Sequence, residues 1–195
     1  DAVTAYTYNG LGLVTQVKEH VFYKLDVGDF WNTTDITYDK LGRGIKRQAP
    51  GYVDYLGNTV RPTSEIEYNG LGAVKREILR GTNDAVETDD RITSYEYNKN
   101  GERIKRTDAN GNVMLFDFDA MGRMSRRTVK AVINADGVST DQLKLYQYDA
   151  AGRNTVTTDV GTGEVRKTAY NAFGEISKKG LADGWQEVIE YNTLG

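Results

Sequence analysis

The chain has 195 residues, and its 25 Lys and Arg nearly balance its 28 Asp and Glu, giving a net charge of −3. Such a balance provides no overall field for recruiting nucleic acid or an anionic membrane. The absence of cysteine excludes disulfides, a cysteine nucleophile and cysteine metal ligands. With 21 Gly, 13 Tyr, two Pro and no long apolar run, the composition indicates a turn-rich β protein without a membrane-spanning helix.

A short motif recurs along the chain: an aromatic residue, then Asn or Asp, two further residues and Gly. Its copies begin at positions 8, 38, 68, 97, 118, 148, 170 and 191, so the spacing is near either 21 or 30 residues. A basic unit of about 21 residues that sometimes carries about nine more explains both spacings. The aromatic residue and the glycine of the eight copies are Tyr8 and Gly12, Tyr38 and Gly42, Tyr68 and Gly72, Tyr97 and Gly101, Phe118 and Gly122, Tyr148 and Gly152, Tyr170 and Gly174, and Tyr191 and Gly195.

Each copy of the motif predicts a β-hairpin. Asn or Asp accepts a local backbone N–H, and Gly three residues later tolerates positive φ, so the motif itself is a turn. Before the turn the residues alternate as in a strand, as at Tyr95, Glu96 and Tyr97, and a second strand such as Glu102 to Thr107 follows it. Two strands joined by such a turn form a hairpin.

The segments between the hairpins complete the predicted architecture. Short second turns are expected at 108–112, 159–163 and 180–184, and longer polar loops at 24–31, 49–61, 81–90 and 130–142. No segment shows a sustained helical apolar period with caps. The sequence therefore predicts an all-β chain of tandem antiparallel hairpins with little or no helix.

Charge follows the same period as the motif. Strands after the turn are basic, for example at Lys46 and Arg47, while strands before it carry acids such as Glu65. Facing antiparallel strands would place these charges opposite one another, and a four-residue turn would pair Glu96 with Arg103. A solvated face with cross-strand ion pairs is favoured over a nucleic-acid surface.

The segments 148–153 and 118–123, with the sequences YDAAGR and FDAMGR, resemble the YD repeats of Rhs proteins. Similar proteins include bacterial Rhs polymorphic toxins, the B and C subunits of insecticidal toxin complexes, wall-associated YD-repeat proteins and, more distantly, teneurins. The resemblance implies a long β-sheet strip that spirals into a hollow shell. In bacterial members the shell encloses a C-terminal toxin and keeps it inactive until delivery.

These observations predict a single repeat array over residues 1–195, a piece of a longer protein with about seven to eight repeats. The resemblance implies a non-catalytic part of a shell wall in a secreted or cell-surface bacterial protein. Its partners would be the rest of its own polypeptide, including a C-terminal toxin, or another shell subunit. A surface adhesion module that binds carbohydrate or protein is the alternative. No cofactor, metal, nucleic-acid partner or membrane insertion is expected.

Individual side chains have two candidate roles. The repeated tyrosines are expected to form an aromatic ladder on one sheet face, with the hydroxyl free to reach backbone or water; stacking on sugars or bases is the less favoured role. Acidic clusters such as Asp108 with Asn110 and Asn112 fit turn chemistry better than calcium binding. The lone His20 excludes histidine clusters. Trp31, in a predicted loop, is the candidate for contact with a partner.

Overall fold

A computed structural model describes residues 3–24, 28–81, 89–133 and 137–191. The all-β prediction is confirmed. Within those residues the strands are β1 (Thr4–Tyr8), β2 (Val14–Lys24), β3 (Gly28–Tyr38), β4 (Gly44–Gln48), β5 (Tyr52–Val53), β6 (Thr59–Val60), β7 (Thr63–Tyr68), β8 (Val74–Leu79), β9 (Arg91–Tyr97), β10 (Arg103–Thr107), β11 (Val113–Phe118), β12 (Met124–Ile133), β13 (Ser139–Tyr148), β14 (Asn154–Asp159), β15 (Val165–Tyr170), β16 (Ile176–Leu181) and β17 (Gly184–Val188).

Fifteen of these strands form one sheet in which neighbours in sequence are neighbours in space. Its order is β1-β2-β3-β4-β7-β8-β9-β10-β11-β12-β13-β14-β15-β16-β17, and β5 and β6 form a separate two-stranded sheet inserted between β4 and β7. The described pairings in the large sheet are antiparallel. By compactness the chain divides into unit 1, Asp1–Ser94, and unit 2, Tyr95–Gly195.

A β-bulge at the motif aromatic fixes the register of the hairpins. In the hairpin of β11 and β12, Asp117 faces Arg126 but Phe118 faces Met124, so one extra residue lies on the second strand. Consistent with such a bulge, Lys105 Nζ lies 2.7 Å from Glu96 Oε1. The predicted pairing of Glu96 with Arg103 is therefore wrong, because the simple four-residue turn leaves out the bulge.

Two of the predicted loops are largely strand. β2 continues through Lys24 and β3 begins at Gly28, while β12 continues to Ile133 and β13 begins at Ser139. The placement of Trp31 in a loop was wrong, since it lies within β3. Backbone hydrogen bonding between two strands of a hairpin does not require apolar alternation, so the polar composition misled the prediction. The predicted loop 49–61 contains β5 and β6, and most of 81–90 falls outside the described residues.

The sheet has little conventional core. Among the described residues Ile78, 1% exposed, is the only hydrophobic residue that is buried as a whole, and Thr63 is the only polar residue that is. Most other strand residues are half-buried. Stability must therefore come mainly from strand pairing and from side-chain contacts along the sheet.

Ile78 and Thr63 in unit 1 lie near a cluster of paired charges. Arg80 donates through Nη2 to Glu65 Oε2 at 2.5 Å and through Nη1 to Asp90 Oδ2 at 2.6 Å. Asp90 also accepts the N–H of Gly81 at 2.9 Å, and its side chain is fully buried. Lys46 Nζ lies 3.2 Å from the other oxygen of Glu65. The hydrogen bond from Arg80 is the main reason that the pKa of Glu65 is lowered.

Candidate functional site

The motif turn has one hydrogen-bonding pattern, shown by Asp119. Its N–H donates to the carbonyl of Arg123 at 2.8 Å, and its own carbonyl accepts the N–H of Gly122 at 3.0 Å. Its Oδ1 accepts the N–H groups of Met121 and Arg123 at 2.9 and 3.0 Å. Gly122 has φ of +75°, which an L side chain rarely adopts. The side chain and the glycine together explain why the motif needs Asx and Gly at these positions.

Two further turns have the same pattern and lack the preceding aromatic residue. Asp54 accepts the N–H groups of Leu56 and Asn58 through Oδ1, both at 2.9 Å. Asp108 accepts those of Asn110 and Asn112 at the same distance. The sequence predicted a second kind of turn at 108–112 and a loop around Asp54. An Asx residue followed three residues later by Gly, and then by Asn, was the signal that would have found them.

The side chain of the residue that follows the turn glycine pairs with the Asx side chain in several copies of the motif. Where the motif has Asp, Arg follows the glycine: Arg43, Arg123 and Arg153 donate through Nε to Asp39, Asp119 and Asp149, each at 2.7 Å. Where the motif has Asn, Glu follows in two copies: Asn98 and Asn171 donate through Nδ2 to Glu102 and Glu175 at 2.5 and 2.7 Å. Each turn of these two kinds is therefore closed by a side-chain pair across it.

The same arginines also contact the next repeat. The guanidinium carbon of Arg43 lies 4.0 Å from the ring centre of Tyr68, that of Arg123 4.9 Å from Tyr148, and that of Arg153 4.6 Å from Tyr170. These are cation–π distances. The predicted ladder of ring on ring is replaced at these three positions by arginine on ring.

The tyrosine hydroxyls form a second link between successive repeats. Tyr148 donates to the carbonyl of Met124 at 2.7 Å, six residues after the aromatic residue of the preceding copy. The same link joins Tyr38 to Val14, Tyr68 to Gly44, Tyr170 to Asn154 and Tyr191 to Ile176, at 2.8 to 3.3 Å. Desolvation, and then the charge of Asp119, raise the pKa of Tyr148. The hydroxyl therefore stays protonated and remains a donor.

Electrostatics favour the ionised form of the turn aspartates. The N–H of Arg123 is the largest cause of the lowered pKa of Asp119, and the N–H of Arg153 has the same effect on Asp149. Desolvation opposes this, and the arginine side chains add to it. Hydrogen bonds of the folded turn account for these carboxylates, so a chemical role is not needed to explain them.

Most of the predicted repeat residues occupy equivalent positions. Seven of the eight motif aromatics end the first strand of a hairpin, whereas Tyr191 lies three residues beyond the end of β17; each described motif glycine has φ between +75° and +89°. Tyr8, which follows no earlier copy in the chain, is 57% exposed. Phe118 has no hydroxyl with which to form the link between repeats. Gly195 lies outside the described residues, so the last turn is not assigned.

Trp31 belongs to an aromatic group at the far end of β2 and β3. Its ring meets the ring of His20 edge-on at 5.1 Å, and Phe22 stacks on Phe30 at 4.5 Å. His20 Nε2 lies 2.9 Å from Asp29 Oδ1. Trp31 and Phe30 are each 37% exposed. A contact between Trp31 and a partner remains a prediction.

Other kinds of site find no support in the described part of the chain. It contains no group of three or more His, Cys, Asp or Glu arranged to hold a metal ion. Nor does it contain a helix that is long and apolar enough to cross a membrane.

The geometry defines a tandem β-hairpin repeat protein, in which side chains of one repeat cover and bond the next. No family model and no curated protein matches the chain. Solved structures, by contrast, match the chain. The chain is similar to the TcdB2-TccC3-TEV crystal structure at 13% identity, with a TM-score of 0.53, over 98% of this chain. It is also similar to the Photorhabdus luminescens Tc holotoxin pore carrying TccC3-D651A at 14% identity, with a TM-score of 0.53, over 98% of this chain.

These similarities confirm the expected fold, that of the Rhs/YD-repeat shell proteins of Tc toxins. The chain spans 12% of the length of each of these two proteins.

Proposed function

We propose that this chain is a non-catalytic stretch of the wall of an Rhs-type shell in a secreted bacterial protein, where the complete shell encapsulates or presents a linked toxin. The observation that carries the proposal is the link between repeats. Tyrosine hydroxyls, and in three cases arginine side chains, join four of the hairpins to the preceding one, at contacts that recur with the repeat. A wall needs such continuity from strand to strand.

Burial supports the same role. The described strands are mostly half-buried, and a single hydrophobic side chain is fully buried among them. A globular enzyme domain of this length would normally bury many large apolar residues around a central core. A sheet that serves as a partition has two functional faces and no need of such a core.

Protease protection in the complete protein that contains this chain tests the wall role. The segment that follows the repeats should resist protease while the wall is intact. Combining Tyr68→Phe, Tyr148→Phe and Tyr170→Phe removes three links between repeats and should make that segment digestible. A segment that is already digested quickly in the protein without the substitutions contradicts encapsulation.

A specific observation favours the second candidate, an adhesion module. Trp31, Phe30 and Phe22 are partly exposed at the end of the β2–β3 hairpin, beside the polar pair of His20 and Asp29. Partly exposed aromatic rings beside polar groups suit sugar binding. Glycan binding by the isolated chain that is lost in Trp31→Ala and kept in Trp185→Ala, a similarly exposed tryptophan, would favour adhesion.

A further inference from the structure

Three asparagines of the described turns are followed directly by glycine. They are Asn9 before Gly10 and Asn69 before Gly70 in motif turns of unit 1, and Asn110 before Gly111 in a turn of unit 2. In an Asn–Gly sequence the backbone nitrogen of the glycine can attack the side-chain amide carbon, because glycine has no Cβ atom to obstruct the approach. By sequence the three sites are alike, but their surroundings in the structure differ.

The turn at Asn9 holds the side-chain carbonyl in place. Asn9 Oδ1 accepts the N–H groups of Leu11 and Leu13, both at 3.0 Å. The bond to Leu11, two residues further on, folds the side chain over the peptide that joins Asn9 to Gly10, and that peptide contains the attacking nitrogen. Attack on Cγ places negative charge on Oδ1. The two N–H groups already directed at Oδ1 stabilise that charge as an oxyanion hole does.

Asn69 has the same arrangement, and the attacking nitrogen is available at both sites. Asn69 Oδ1 accepts the N–H groups of Leu71 and Ala73 at 3.0 and 2.9 Å. Within the described residues, the N–H groups of Gly10 and Gly70 donate to no protein atom. Both glycines are exposed, so water can accept the proton that the nitrogen loses.

The other asparagine turns each lack a part of this arrangement. Gly111 donates its N–H to the carbonyl of Asp108 at 2.9 Å, and the side chain of Asn110 makes no hydrogen bond within the described residues. Asn98 and Asn171 are not followed by glycine, and a glutamate accepts a hydrogen bond from the Nδ2 group of each. Only the turns at Asn9 and Asn69 therefore combine a polarised carbonyl with an accessible nucleophile among the described turns.

We propose that Asn9 and Asn69 are sites of spontaneous conversion to aspartate, promoted by their own turns. The glycine nitrogen loses its proton to water and forms a bond to Cγ, the bond between Cγ and Nδ2 breaks, and Nδ2 leaves as ammonia. A water molecule then opens the five-membered imide ring and leaves a carboxylate where the amide was. Each site consumes one water and releases one ammonia, and no oxidant or reductant takes part. The reaction is independent of whether the complete protein encloses a toxin.

The turn accommodates the aspartate that forms. Asp39, in the motif turn between the two sites, accepts the N–H groups of Leu41 and Arg43 at 2.9 and 3.0 Å through one oxygen, as Asn9 does. No arginine follows the turn glycine after Asn9 or Asn69, so the new carboxylates lack the partner that Arg43 provides for Asp39. Each conversion therefore adds one exposed negative charge to a chain whose net charge is −3.

Peptide mass spectrometry of the chain kept at mildly alkaline pH tests the proposal, because each conversion exchanges an amide for an acid of slightly greater mass. In the folded chain Asn9 and Asn69 should react about tenfold or more faster than Asn110, since both have two N–H donors on Oδ1. Unfolding in urea removes those donors and should slow Asn9 and Asn69 to the rate of Asn110. Equal rates at the three sites in the folded chain, or faster reaction of Asn9 and Asn69 in urea, overturn the proposal.

Gly10→Ala and Gly70→Ala are matched variants that test the route. A Cβ atom built on either glycine has no heavy atom within 4 Å, and neither glycine has positive φ, so both variants should fold. Ala172 already occupies the same position after Asn171. Each variant should slow conversion at its own site by about tenfold and leave the other site unchanged, because the methyl group obstructs the approach of the nitrogen to Cγ. Conversion at Asn9 that is as fast in Gly10→Ala as in the parent would indicate direct hydrolysis of the amide and overturn the imide route.

Discussion

Units 1 and 2 are built from the same hairpin but are held by different side-chain contacts. Among its described residues unit 1 has one arginine–tyrosine contact of the motif kind, Arg43 on Tyr68, together with the charge cluster around Arg80. Unit 2 has two such contacts in succession, Arg123 on Tyr148 and Arg153 on Tyr170. The motif therefore provides a link that any pair of repeats can use, and a local cluster supplements it where links are fewer.

The largest predicted effect is on the cluster of unit 1. Arg80→Met leaves Asp90 buried without its cation, and we expect the free energy of unfolding to fall by about 3 kcal/mol. Arg126→Met in unit 2 is the control, since the pair of Arg126 and Asp117 is about half exposed and should contribute little to the free energy of unfolding. Urea denaturation measures the free energy of unfolding of both variants. In the Arg80→Met variant, hydrogen exchange should show that the loss of stability lies within unit 1. Equal losses of stability in the two variants would mean that the cluster around Arg80 contributes no more than an exposed ion pair.

Removal of one link in unit 2 should have a smaller effect. Tyr148→Phe deletes the hydroxyl that bonds the carbonyl of Met124 and should lower the free energy of unfolding by about 1 kcal/mol. Tyr146→Phe, two residues earlier on the same strand, removes a hydroxyl for which the described residues offer no such bond. If the two variants unfold at the same urea concentration, the hydroxyl link does not hold the repeats together.

The strand ends opposite the motif turns also differ between the units. The long hairpins β2–β3 and β12–β13 each have an irregular register near their ends. In unit 1 that end is aromatic, whereas in unit 2 Lys130 pairs with Asp141 and Ala131 has φ of +55°. Ala131→Gly should relieve that backbone strain and raise the free energy of unfolding by about 0.5–1 kcal/mol. A lower stability in thermal or urea unfolding would show that the alanine is not strained.

Sequence patterns were sufficient for the turns and insufficient for what lies between them. Asx and Gly act within a few residues, so the motif predicted the antiparallel hairpin fold correctly. The bulge that sets Glu96 against Lys105 depends on hydrogen bonding between strands, and no residue type at that position predicts it. The arginine–tyrosine contacts join residues 17 to 25 positions apart, as with Arg153 and Tyr170 or Arg43 and Tyr68. Only the strand order brings those side chains together.

At Phe118 the link between repeats lacks its hydroxyl. Adding a hydroxyl there tests, within unit 2, how much the link contributes to stability. By analogy with Tyr148 and Met124, a hydroxyl at position 118 would face the carbonyl of Arg103, six residues after Tyr97. Phe118→Tyr should therefore add a hydrogen bond and raise the free energy of unfolding by about 0.5 kcal/mol, less than Tyr148→Phe loses, because the site is packed around a phenyl ring. The gain should disappear when β10 is displaced by Lys105→Pro, which removes a strand N–H. A Phe118→Tyr variant that is less stable than the parent would mean that the repeats on either side of position 118 are not spaced as the others are, and that the link is a property of particular pairs of repeats.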